Sequence, residues 1–215
     1  MVLAPTDASI EGPFYRPGAP MLAAPCSLVR RPGERGAVLV FLGDVRSTDG
    51  DPLPGALLDI WQASAEGRYA PGRPTDGDFS GLFDPTQPAF NLRGCIRAGD
   101  DGGFEVRTVI PGPYRDPPGS MDVASMRPAH LHVKLACEGF VPLTTQLFFA
   151  EDPHLRSDPA EAVRPGLVMA LERRADPADL AARGLLRPYF ACWFGFVLSP
   201  ATSGTASNEI PKRSW

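Results

Sequence analysis

The chain has 215 residues, 43% of them hydrophobic, and a formal net charge of −4. That length supports one domain with a real core, and the acidic balance argues against nucleic acid, whose phosphates demand a basic face. The 25 prolines and 22 glycines follow no repeat period and have ample apolar sequence between them, so they mark many turns rather than disorder.

The elements follow in chain order. The opening "MVLAPTDASIEGPFYRPG" lacks a basic stretch followed by an apolar one, so no secretory leader is expected. "GAVLVFLGDV" (Gly36–Val45) is apolar and β-branched, and "RSTDGDPLPG" breaks it. "ALLDIWQAS" is a second predicted strand, and "GFEVRTVI" (Gly103–Ile110) a third, after an Asp-Gly-Gly turn. "AHLHVKLAC" alternates, "LTTQLFFA" (Leu143–Ala150) follows, and "YFACWFGFVL" (Tyr189–Leu198) reads as a long, mostly buried strand. Short strands punctuated by Gly, Pro and Asp predict a mainly β fold, an antiparallel β-sandwich core with short helices in loops.

Residues 158–186 differ, being rich in Ala, Leu, Glu and Arg. A small helical insertion of one or two short helices is expected here, with Asp176 as N-cap, Pro177 at the first helical position and Gly184 as the stop. The tail after Leu198 reads as loop, docked by Trp215. No linker separates domains, so residues 1–215 are read as one unit. The four cysteines, Cys26, Cys95, Cys137 and Cys192, form no CxxC pair, which argues against a zinc knuckle. Cys137 and Cys192 lie in apolar runs and are expected to be buried free thiols. No apolar run is long enough to span a bilayer, so no membrane association is expected. A reducing cytoplasm fits these features.

"RPAHLHVKL" (Arg127–Leu135) holds two of the three histidines. In a strand, residues i and i+2 share a face. His130 and His132 therefore present two imidazoles together, with Leu131 and Val133 on the other face. Alone, this pattern serves equally as a chelating pair or as two half-exposed residues on a wet face. A metal needs further ligands, and nearby acids offer no compelling spacing. Tyr69 ends "DIWQASAEGRY" and Tyr114 ends "VIPGPY", each just after a predicted strand. Tyrosinate is a hard oxygen donor, and a ferric ion can lower the phenol pKa from ~10 far enough to bind it. The ordinary reading of either tyrosine is a core-edge residue with a hydrogen-bonded hydroxyl.

Taken in order, "EGPFYRP", "PLPGALLDIWQASAEGRY", "LRGCIRAGDDGGFEVRTVIPGPY", "RPAHLHVKL" and "TTQLFF" resemble the intradiol ring-cleavage dioxygenases, the group of protocatechuate 3,4-dioxygenase and catechol 1,2-dioxygenase. The resemblance covers most of residues 10–150. It implies non-haem Fe(III) held by Tyr69, Tyr114, His130 and His132, with Arg127 and Gln146 as active-site residues. Tyr114 would also act as a base, Arg127 would stabilise developing negative charge, and Gln146 would orient an oxygen species. Gly12 and Pro13 would line the substrate pocket.

The implied partners are a catecholic small molecule and O2, with a homo-oligomer or a hetero-oligomer with a related subunit. The implied reaction is intradiol cleavage to a cis,cis-muconate-type product. The substrate would be protocatechuate-like or another substituted catechol, with catechol or hydroxyquinol as the alternative. "EGPFY" begins at residue 11, so the helical N-terminal dimerisation segment of catechol 1,2-dioxygenases is expected to be absent. A tryptophan common after the second tyrosine is also missing, and Arg115 stands in that loop as a candidate partner for a substrate carboxylate. Two other classes stay open: a non-catalytic β-sandwich binding module, and a zinc hydrolase built on the two histidines, which lacks an obvious third ligand.

Overall fold

A computed structural model describes residues 2–23, 25–71, 79–116, 120–122 and 125–201. The expected tail docking through Trp215 lies outside the described residues, as does part of the loop after Tyr114. In chain order the strands are β1 (Cys26–Ser27), β2 (Val38–Ser47), β3 (Leu57–Gln62), β4 (Arg93–Arg97), β5 (Gly103–Val109) and β6 (Tyr114–Arg115). They continue with β7 (Met126–Arg127), β8 (His130–Ala136), β9 (Leu143–Phe149), β10 (Val168–Met169), β11 (Glu172–Arg174) and β12 (Tyr189–Leu198).

Two five-stranded sheets form the sandwich, one ordered β10-β9-β8-β3-β4 and the other β1-β5-β2-β12-β11. A two-stranded ribbon, β6-β7, stands apart. Within the first sheet β4, β3, β8 and β9 pair antiparallel. The second sheet also contains a long parallel pair, β2 with β12, registered from Leu39↔Phe190 to Ser47↔Leu198. Parallel neighbours need a long crossover, and here residues 48–188 lie between the two strands.

Alternation explains the core. Leu58 and Ile60 of β3, Leu131, Val133 and Leu135 of β8, and Leu147 of β9 face inward. They pack on Leu39 and Phe41 of β2, Val106 of β5 and Phe196 of β12. One polar pin joins the sheets: Thr108 Oγ1 donates to Gln62 Oε1 at 2.8 Å, and Gln62 Nε2 donates to the Val109 carbonyl at 2.9 Å. Both side chains are buried, and pairing spares them the cost of an unmet polar group.

The segment expected to be helical holds less helix than its composition suggests. It carries one six-residue helix, α1 (Pro177–Ala182), a 3-10 turn at Pro165–Leu167, and the short strands β10 and β11. Asp176 caps α1, accepting from the backbone N–H of Ala178 and Asp179, and Gly184 takes φ +62° beyond its end. Elsewhere tertiary contacts override helix propensity: Leu167 and Met169 are buried in the core, and β10 pairs with β9. The four cysteines are free thiols, Cys192 buried as expected but Cys137 only half-buried. Among the described residues no helix is long and apolar enough to cross a membrane.

Candidate metal and active site

The outer face of the first sheet carries the site. All seven residues of β8 are buried, so the face holding His130 and His132 is roofed rather than wet. Register sets the neighbours across that face: Arg93 opposes Trp61, Trp61 opposes His132, and His132 opposes Gln146. The next row is Cys95, Asp59, Lys134 and Thr144.

A strap, residues 7–16, lies across these rows. The Asp7 carbonyl accepts from Thr145 Oγ1, and the Ile10 carbonyl accepts from Gln146 Nε2 at 3.0 Å. Glu11 pairs with Lys134, and Tyr15 donates its hydroxyl to Asp59 Oδ2 at 3.0 Å. Gly12 sits so close to the His132 ring that a Cβ there would lie 3.3 Å from Cε1. Phe14 stacks on Tyr69, with centroids 4.2 Å apart and planes at 13°. The Phe14 carbonyl accepts from Arg93 Nη1. Pro13 is half-buried between Gly12 and Phe14.

Two loops deliver the tyrosines. Gly112 donates its N–H to the Ser64 carbonyl at 2.9 Å. A Cβ on Gly112 would meet the Ala65 carbonyl oxygen at 2.2 Å, and one on Gly67 would meet the Pro113 carbonyl oxygen at 2.4 Å. The two backbones therefore touch where only hydrogen fits in place of a side chain. This contact brings the Tyr69 and Tyr114 rings to 5.7 Å in an edge-to-face arrangement.

The four candidate donors converge. His130 Nδ1 lies 2.7 Å from the Pro128 carbonyl and donates to it, which leaves the lone pair on Nε2. That Nε2 is 3.0 Å from His132 Nε2, which lies 3.2 Å from the Tyr69 hydroxyl. Trp61 stacks on His132 at 4.6 Å and 8°, fixing the plane of that ring. Burial holds the His130 pKa down at about 3, with the Arg127 charge adding to the effect. Burial also pushes His132 well below the usual imidazole range, reinforced by His130 and Arg127. Both phenols are pushed up by burial, Tyr69 further by its neighbour Tyr114, while the Arg127 charge pulls Tyr114 back.

The set thus presents two neutral imidazoles and two phenols in a dry pocket. Facing imidazole nitrogens at this distance repel unless a proton or a cation lies between them. A trivalent cation would relieve that repulsion and draw the phenols into their anionic form. The residues fit such a group. Among the described residues no cluster of three or more His, Cys, Asp or Glu could hold a metal, and His154 does not join the pair. A zinc hydrolase site therefore has no third ligand of its usual kind.

Arg127 pairs with Tyr114 in the β6–β7 ribbon and is 2% exposed. Its Nη2 donates to Gln146 Oε1 at 2.7 Å. Both ends of the Gln146 amide are thus used by the protein, one on Arg127 and one on Ile10. Arg115 alternates with Tyr114 and is drawn elsewhere, its Nη1 donating to the Asp122 carbonyl at 3.0 Å. The structure does not bring it to the four donors.

Sequence reasoning missed two charged residues. Arg93 is buried over the Tyr69 ring, 5.8 Å from its centroid, and burial pushes its pKa down to about 10. Its alternation with Cys95 in "LRGCIR" was the available signal. Asp158 pairs with Arg127, and nothing in its local sequence announces it.

The fold is a mainly β sandwich that gathers two tyrosines and two histidines over one sheet face. The chain belongs to the intradiol ring-cleavage dioxygenase family: a family model described as dioxygenase matches residues 10–198. It is 35% identical over 179 residues to chlorocatechol 1,2-dioxygenase of Rhodococcus opacus, covering 78% of this chain and 65% of that one. It is 32% identical over 218 residues to catechol 1,2-dioxygenase of Acinetobacter baylyi, covering 97% and 66%. The solved structure of catechol 1,2-dioxygenase from an Acinetobacter species, inhibited by bound mercury, superposes with a TM-score of 0.82 at 31% identity, covering 96% of this chain and 66% of that one. The chain spans about two thirds of the length of the curated relatives it matches.

Proposed function

We propose that the chain cleaves a catechol ring between its two hydroxyl-bearing carbons, using O2 and a non-haem Fe(III) held by Tyr69, Tyr114, His130 and His132. The observation that carries this reading is the convergence of the four donors in one buried pocket, with the imidazole Nε2 atoms 3.0 Å apart. The similarity to chlorocatechol 1,2-dioxygenase and catechol 1,2-dioxygenase supports the same reaction class.

Bound Fe(III) would supply the Lewis acidity that draws electron density out of a catecholate and opens its ring carbon to O2. The protein does the rest. Tyr114, in the anionic form that Fe(III) would favour, accepts a catechol hydroxyl proton at Oη and so doubles as ligand and base. Arg127, held next to Tyr114, supplies a fixed positive charge where negative charge develops, in a site from which water is excluded. Gln146 holds Arg127 and ties the strap to the site. Gly12 and Pro13 bound the substrate side, and the roof over β8 keeps bulk water from the reacting carbon. Both oxygen atoms of O2 enter the product, a cis,cis-muconic acid.

The test is a visible spectrum of the purified, iron-replete protein, with iron counted per chain, followed by anaerobic addition of catechol and then protocatechuate. The expected result is a red protein with a tyrosinate charge-transfer band that shifts with the true substrate. A protein that stays colourless after ferric reconstitution would overturn the ligand assignment.

A further inference from the structure

Arg127 is a buried guanidinium with a buried carboxylate against one edge. Its Nε lies 2.9 Å from Asp158 Oδ1 and its Nη2 3.4 Å from Oδ2, with both side chains 2% exposed. The other Nη2 hydrogen goes to Gln146 Oε1. The remaining Nη1 edge makes no hydrogen bond among the described residues. Arg127 opposes Tyr114 in the β6–β7 ribbon, and its partner Gln146 opposes His132 across β8 and β9, so this guanidinium lies beside the donor set.

The carboxylate is itself fixed. Asp158 Oδ1 accepts from the Ala160 N–H at 3.3 Å and Oδ2 from the Ala162 N–H at 3.0 Å, so its own turn sets its rotamer. The same excursion is fastened a second time: Asp152 Oδ2 accepts from the Ala129 N–H at 2.7 Å, between Arg127 and His130. A planar guanidinium gripped on two of its three edges has no rotational freedom left. The ion pair also removes the cost of an uncompensated buried charge.

We propose that Asp158 is the positioning residue for Arg127: it fixes the guanidinium so that the unpaired Nη1 edge faces the reacting catechol. The proposal rests on the reading that Arg127 serves ring cleavage. Asp158 makes no hydrogen bond to the four donors; its hydrogen bonds go to Arg127 and to its own turn. Misplacing a charge by roughly 1 Å costs on the order of 100-fold in rate, which sets the scale of the expected effect.

The experiment compares the wild type with Asp158→Asn, Asp158→Glu, Arg127→Met and the double variant Arg127→Met/Asp158→Asn. Iron per chain, the anaerobic substrate-induced band shift, kcat and KM are read for each. For Asp158→Asn the expectation is retained iron, a retained band shift, a nearly unchanged KM, and a kcat lowered about 10- to 100-fold. Asp158→Glu keeps the charge and recovers part of the loss. In the Arg127→Met background, Asp158→Asn causes no further loss, and the double variant melts higher than Asp158→Asn alone. An unchanged kcat in iron-replete Asp158→Asn overturns the proposal, as does an equal loss in both backgrounds. Should Asp158→Asn fold poorly, Asp158→Glu decides: full wild-type kcat there overturns the proposal, and a lowered kcat with intact colour supports it. Failure of the functional reading looks different, since the wild type itself would then hold no iron and show no band.

Discussion

Replacing Gly112 with Ala should separate the two loops that carry the tyrosines. The added Cβ would lie 2.2 Å from the Ala65 carbonyl oxygen and 3.0 Å from the Gly67 nitrogen, both backbone atoms with no rotamer to escape into. To reach the 3.0 Å floor of real Cβ contacts, one loop must retreat by roughly 1 Å. Overpacking of this kind costs about 1–3 kcal/mol, and at about 2–4 °C per kcal/mol for a domain of this size the midpoint should fall by about 2–12 °C. The displacement passes to Tyr114, two residues on, and to Tyr69 across the contact, so iron affinity should fall as well. The assay is thermal unfolding of the metal-free protein together with iron bound per chain. Gly166→Ala is the control, because its Cβ would meet only Asp7 Oδ2 at an ordinary 3.5 Å. A Gly112→Ala protein that melts with the control and binds iron fully would refute the reasoning.

Phe14→Ala removes a ring stacked on Tyr69 and set edge-on to Phe83 and Tyr114. A loss of about 3–5 kcal/mol is expected in denaturant unfolding, with faster loss of iron to a chelator, and unchanged iron retention would count against the strap as part of the site. Asp176→Ala deletes the two capping bonds of α1 and should cost about 1 kcal/mol while leaving colour and turnover unchanged, since α1 buries no residue. A change in turnover there would reveal a coupling between α1 and the site that these contacts do not carry.

The strands with a clear period were legible in the sequence. β8, β9 and β12 fall within a residue of their predicted limits, β8 because polar and apolar residues alternate along it, β9 and β12 because turn residues bound their apolar runs. β4 was not read as a strand, being short, with a glycine and two arginines among its five residues. Tyr69, Tyr114, His130 and His132 were named from spacing and resemblance, and the fold brings them together. The strap was legible only as a motif. Its contacts to Lys134, Gln146 and His132 join residues more than a hundred positions apart, which no local pattern encodes. Asp158 was missed for the same reason, and because Ala-rich sequence around it favours helix until burial of Leu167 and Met169 decides otherwise.

The strap has a consequence for how the protein comes into being. Residues 7–16 are made before the surfaces they rest on, which come from residues 59 to 166. Arg127 then waits for Asp158, and β2 for β12, which slots between it and β11. Contacts of such span are slow to form, because loop closure must precede any gain from pairing. The donor pocket is therefore among the last places to close during folding. A chain still in synthesis has both histidines long before it has a pocket, so on the proposed reading metal capture belongs to the finished fold rather than to the nascent chain.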